Sequence, residues 1–146
     1  METTDGNGRA MSLDEGAGQA IDLISKVKEN KGKVMLVGNG GSSAIASHAQ
    51  NDLSESAGVK AMVFTESPEL TARANDHGYE SVYERPIRLW AEPGDLLFAI
   101  TSSGNSENII RAAKAALSKD CRVITLTGFR PDNPTRQLGN INFYVA

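Results

Sequence analysis

A chain of 146 residues fits one domain and can bury roughly two-thirds of the surface its unfolded form exposes, so neither disulfides nor a structural metal are needed to hold it together. A formal net charge of −3 with scattered basic residues excludes a general attraction to nucleic acid or to an anionic membrane, and no apolar run approaches a membrane span. The single cysteine, Cys121, has no internal partner and precedes an apolar run, which points to a buried, inert thiol in a reducing compartment, read as the cytoplasm.

The opening METTDGNGRA lacks an apolar signal core, and residues 1–10 are expected to be a disordered tail ahead of a single domain over 11–146. Ser12 with Glu15 matches a capping box, and Ala20, Ile21, Ile24 and Val27 mark the apolar face of a helix that ends near Asn30 and Lys31. KVMLVG reads as a strand, and the glycine-serine turn after it opens a helix that Gly58 stops. KAMVF is a second strand. Ser67 and Pro68 read as the cap and first residue of a helix over PELTARAND. YESVYERPIRLWA reads as another helix, kinked or interrupted at Pro86. EPGDLLFAIT supplies a turn and a third strand, TSSGNS a polar turn, and SENIIRAAKAALSKD an alanine-rich helix capped by Ser106. CRVITLTG is a fourth strand, FRPDNPTRQLGN a proline-containing loop and INFYVA a fifth strand.

Five apolar strands alternating with helices predict an α/β doubly wound, three-layer sandwich with a five-stranded parallel sheet. In the flavodoxin-like order 2-1-3-4-5 the first and third strands are neighbours, and ligands bind at the carboxyl ends where the winding reverses. Both serine-glycine turns, GNGGSS and TSSGNS, then face one crevice.

TSSGNS presents Thr101, Ser102, Ser103 and Ser106, with Gly104 allowing a close turn. Hydroxyls, free backbone N–H groups and a helix N-terminus together suit a phosphate monoester. The plainer alternative is that Ser106 merely caps its helix and the other hydroxyls satisfy the loop. GNGGSS lacks the Walker A ending and the G-x-G-x-x-G spacing, so a nucleotide cofactor is not expected. Asn39, Gly40, Gly41 and Ser42 suit the hydroxyls of a sugar, or form a tight turn and no more. His48 and Asp52 share a helix face and suit a metal or a proton shuttle, or form an ordinary surface pair. Asn75 and Asp76 end a helix before Gly78, where such residues commonly cap a helix or begin a loop; their neighbour His77 is a proton donor or an ordinary loop histidine, while Tyr79, Tyr83 and Trp90 look like core or subunit contacts.

GNGGSSAIASHAQND, the pair Asn75 and Asp76, GDLLFAITSSGNSENII and VITLTG resemble the sugar isomerase (SIS) domain, and within it the sedoheptulose 7-phosphate isomerases, or phosphoheptose isomerases. The resemblance runs from Val34 to Gly128. It implies a flavodoxin-like SIS fold and a cytoplasmic homotetramer acting on phosphorylated sugars at subunit boundaries. It implies phosphate binding by Thr101, Ser102, Ser103 and Ser106. Sugar contacts would come from Asn39, Gly40, Gly41, Ser42, Asn75 and Asp76. A histidine and a glutamate bind zinc in this family, the glutamate acting as acid/base, and here they correspond to His48 and to Asp52, one methylene shorter. The family continues into a long helix bearing a glutamine and a histidine; this sequence stops at Ala146, so a fragment or a shortened homologue is expected. The implied activity is aldose-ketose isomerisation of sedoheptulose 7-phosphate with Asp52 as catalytic group, the alternative being a non-catalytic phosphosugar-binding module in regulation or protein interaction.

Overall fold

A computed structural model describes residues 1–146. In chain order the elements are β1 (Glu2–Asp5), β2 (Ala10–Met11), α1 (Leu13–Glu29), β3 (Val34–Gly38), α2 (Gly41–Glu55), β4 (Ala61–Val63) and α3 (Ser67–His77). A 3-10 turn at Tyr79–Ser81 leads to α4 (Glu84–Trp90), β5 (Leu96–Thr101), α5 (Glu107–Leu117), β6 (Arg122–Gly128), a second 3-10 turn (Arg136–Leu138) and β7 (Ile141–Val145).

The strands form one sheet in the order β2-β1-β7-β6-β5-β3-β4. β4, β3, β5, β6 and β7 are parallel and reproduce the expected 2-1-3-4-5 winding, with the reversal between β3 and β5. Alternate strand residues feed the two faces. Val34, Leu36 and Leu96 pack with Ala20, Val27 and Ala46 of α1 and α2, while Met35, Val37 and Leu97 pack with Ile87 and Ile109 of α4 and α5. Each fully buried Val, Leu, Ile or Met side chain among these contributes about 1.5–3 kcal/mol, and together they fix the register that carries the loops. No helix is long and apolar enough to cross a membrane.

Seven strands stand where five were expected, because the first ten residues are not a tail. Thr3 pairs with Phe143 of β7 and with Met11 of β2, both antiparallel, and is almost fully buried. Asp5 Oδ1 accepts the N–H groups of Asn7 and Arg9, which closes the hairpin. A polar two-stranded hairpin has little apolar signature of its own; it forms because the open edge of β7 offers unpaired N–H and C=O groups to β1. The Asn7-Gly8 dipeptide was the turn signal that could have found it.

Most helix ends are as expected. The Ser12 capping box is complete, with Glu15 N–H donating to Ser12 Oγ and Ser12 N–H to Glu15 Oε2. Ser67 is the first residue of α3 rather than its cap, a position that Glu66 takes without a side-chain bond. Pro86 does not interrupt a helix. It lies in the first turn of α4, where its missing N–H would have had no intrahelical partner, and the break falls between the 3-10 turn and Glu84.

Candidate functional site

β3 and β5 lie side by side in parallel with Gly38 opposite Ile100, so the chain leaves both strands at the same edge of the sheet. The first turn is tight because of Gly38: a Cβ there would sit 2.7 Å from the backbone carbonyl carbon and oxygen of Ser42. Gly40 takes the N-cap position of α2 and Gly41 begins the helix, with Ser42 N–H donating to the Asn39 carbonyl at 3.0 Å. Beneath the turn, the buried Tyr83 hydroxyl donates to the Gly38 carbonyl at 2.6 Å.

Asn39 joins this turn to the next. Its Nδ2 donates to Asn108 Oδ1 at 3.0 Å, while Asn108 Nδ2 donates back to Asn39 Oδ1 at 2.9 Å. Asn108 lies in the first turn of α5, the helix that the serine-rich turn opens, and is only 3% exposed. The Tyr79 hydroxyl also donates to Asn39 Oδ1, at 3.1 Å, which ties the segment after α3 to the same point.

Hydroxyls in the second turn divide into two kinds. Thr101 is buried, and its Oγ1 accepts the Gly104 N–H at 3.3 Å, so it shapes the turn from inside. Ser103 Oγ accepts the Asn105 N–H at 3.2 Å and keeps its own proton to donate. Ser106 occupies the N-cap of α5 yet its side chain makes no capping bond, contrary to the plainer reading of that residue. Its hydroxyl and the unpaired N–H groups of the first helical turn are therefore available together at the positive end of the helix. Gly104 has φ +66° and lies against Asn133, while Thr135 donates both its N–H and its hydroxyl to the Gly104 carbonyl. The loop after β6 thus props up the serine turn from behind.

Asn75 and Asp76 are exposed near the end of α3, with Asn75 Nδ2 donating to Asp76 Oδ1 at 2.8 Å. They sit just ahead of the Tyr79 link to Asn39. His77 is exposed and its carbonyl accepts from Ser81 Oγ. His48 Nε2 lies 3.4 Å from Asp52 Oδ2, the two side chains 81% and 58% exposed. No third histidine, cysteine or carboxylate joins them in a metal-ligating group. Ten residues of helix separate Ser42 from Asp52, about 15 Å of rise, so a single chain does not bring Asp52 to the turns. Asp52 instead edges an apolar groove of about 370 Å³ between α1 and α2, floored by Phe98, Ile100 and Leu126.

Residues 10–128 match the SIS domain. The chain belongs to the SIS domain family. It is 38% identical over 125 residues to a phosphoheptose isomerase of Bordetella avium, covering 80% of this chain and 62% of that protein. It is 33% identical over 147 residues to a phosphoheptose isomerase of Helicobacter hepaticus, covering 87% and 75% respectively. The solved structure of the Neisseria gonorrhoeae phosphoheptose isomerase superposes with a TM-score of 0.83 at 35% identity, over 91% of this chain and 74% of that one. These relatives are named phosphoheptose isomerases, and the chain spans about three-fifths to three-quarters of their length.

Several residues of this SIS domain that shape the turns carried no signal in the sequence. Asn108 reads as an ordinary first-turn polar residue, and Tyr79 and Tyr83 as core or contact residues; Tyr83 is buried as expected, but its hydroxyl, like that of Tyr79, is spent on the first turn. Burial pushes the Tyr83 phenol up to about 12, so it stays a proton donor throughout the neutral range. Thr127 ends the apolar run of β6 beside Thr101, is 4% exposed, and its hydroxyl has no partner.

Proposed function

We propose that the chain takes part in the aldose-ketose isomerisation of sedoheptulose 7-phosphate to a heptose 7-phosphate, as the names of its relatives suggest. The observation that carries this reading is the reciprocal Asn39–Asn108 bond, which holds a sugar-suited turn against a phosphate-suited one. The phosphate would be received by Ser102, Ser103, Ser106 and the first N–H groups of α5, and Thr101 would brace the turn. Asn39, Gly40, Gly41 and Ser42, with Asn75 and Asp76, would meet the sugar. Phosphate binding at a distance from the reacting carbons supplies orientation, leaving the chemistry to a carboxylate. That group removes the proton from C1 of the ketose to give an enediol and returns a proton to C2, while a proton moves from the C1 oxygen to the C2 oxygen.

Asp52 is our candidate for the carboxylate. Its position along α2 supports a site shared between subunits, in which Asp52 of one chain serves the turns of another, and a cytoplasmic homotetramer is the assembly we infer. His48 and Asp52 supply two donors where zinc takes four, so they do not by themselves make a zinc site, and no step above uses a metal.

The reading is tested by following interconversion of the heptose phosphates with the purified protein. Turnover that Asp52→Asn abolishes is expected; no turnover, with or without added zinc, removes the enzyme reading. A second reading, phosphosugar binding without catalysis, is favoured by the same remoteness of Asp52 from the turns. It is distinguished by tight binding of the sugar phosphate in the absence of any turnover.

A further inference from the structure

The carboxyl end of β6 carries two costs on neighbouring residues, and neither is repaid within the fold. Thr127 has a buried hydroxyl without a hydrogen-bond partner, an arrangement that native interiors rarely leave unexplained. Two residues on, Phe129 has φ +61°, and the Arg130 N–H reaches back across it to the Gly128 carbonyl at 2.8 Å. That is a γ-turn of the strained, positive-φ hand, centred on a bulky aromatic residue. The strain does not serve burial, since the Phe129 side chain is 72% exposed. It is held in place from behind: the Tyr144 hydroxyl donates to the Phe129 carbonyl at 3.0 Å, with the Arg136 guanidinium 4.7 Å from the centre of the Tyr144 ring.

Both residues flank the serine turn. Thr127 is the register partner of Thr101, and Gly128 N–H donates to the Ser102 carbonyl at 3.0 Å. Strained residues held by their surroundings cluster at ligand clamps. We propose that the end of β6 is the third wall of the phosphosugar site. Thr127 and Gly128 anchor this wall to the serine turn from within, and the exposed Phe129 ring packs on the C–H face of the sugar chain, whose hydrogens meet the negative face of the ring. This rests on the reading that the Thr101–Ser106 turn receives phosphate.

Titration calorimetry with sedoheptulose 7-phosphate and with inorganic phosphate tests it, on the parent chain, Thr127→Val, Phe129→Ala, Phe129→Gly and the double variant Ser103→Ala, Ser106→Ala. Thr127→Val removes a hydroxyl closed off beneath the turn, and is expected to leave both affinities within twofold while the melting temperature holds or rises, because an unpaired polar group has been removed. Phe129→Ala and Phe129→Gly are expected to weaken the sugar phosphate about tenfold and leave inorganic phosphate within twofold. Phe129→Gly, which relieves the strain, is expected to melt no lower than the parent, so lost affinity is not lost fold. If Phe129→Ala keeps the parent's affinity for the sugar phosphate while the serine variant loses it, the wall is overturned and the phosphate turn stands. A serine variant that binds as tightly as the parent overturns the phosphate turn and the wall with it.

Discussion

Asn39 and Asn108 each donate one side-chain amide hydrogen bond to the other, at 3.0 and 2.9 Å, and so lock together two turns that lie 69 residues apart in sequence. An amide pair of this kind satisfies a donor and an acceptor on both partners at once, which a carboxylate, an acceptor only, could not do in either place.

Removing one partner is expected to be costly out of proportion to its size. Asn108→Ala leaves Asn39 Nδ2 without its acceptor in a part-buried place, a loss of about 1–3 kcal/mol. Urea denaturation measures the stability change, and sugar-phosphate affinity is expected to fall with it. A variant that unfolds and binds as the parent does would show that the pair is incidental.

Tyr83→Phe tests the support under the first turn. The hydroxyl donates to the Gly38 carbonyl from within the core, so its removal is expected to cost about 1 kcal/mol with little change in packing. Affinity for the sugar phosphate is expected to drop more than affinity for inorganic phosphate, because the phosphate turn stands on other supports.

Two buried acids set an alkaline limit. Burial, helped by Tyr79, pushes the Tyr83 phenol from 10.0 up to about 12, and burial, helped by Asp95, pushes the Cys121 thiol from 9.0 up to about 11. Both ionise earlier in the unfolded chain than in the folded one, so across this window the unfolded chain binds fewer protons and stability falls as pH rises. Urea midpoints are expected to be flat up to about pH 9 and to decline beyond it, and the pair Cys121→Ala, Tyr83→Phe is expected to make that decline shallower. The same burial leaves Cys121 slow to react with thiol reagents until the protein unfolds.

Deleting residues 1–11 uncovers the edge of β7 and the face of Phe143. A loss of about 1.5–3 kcal/mol from the exposed aromatic is expected, together with concentration-dependent aggregation through the open edge. Light scattering and thermal melting of the truncated chain measure both, and a truncated chain as stable and monodisperse as the parent would mean that the hairpin is decorative.

What the sequence made legible follows from where its physical signals are local. The five parallel strands are continuous apolar runs such as VMLV and LLFAI, and the Ser12 cap and the serine turn are short-range patterns that need no partner to be recognised. The hairpin at Glu2–Met11 was missed because its polar residues gain their stability from the edge of a strand more than a hundred residues away. Thr101, whose hydroxyl turns inward, and Ser106, whose hydroxyl does not cap, look alike in a list of hydroxyls; only the backbone path between them separates their roles. The strained Phe129 is invisible for the same reason, since nothing in the letters FRP announces a positive φ at phenylalanine.

Amide chemical shifts of the isotopically labelled chain, followed while sedoheptulose 7-phosphate is added, test the shared rim most directly. Residues 39–42 and 102–108 are expected to shift together along one saturation curve. Shifts confined to one of the two turns, or absent from both while another surface responds, would contradict the account.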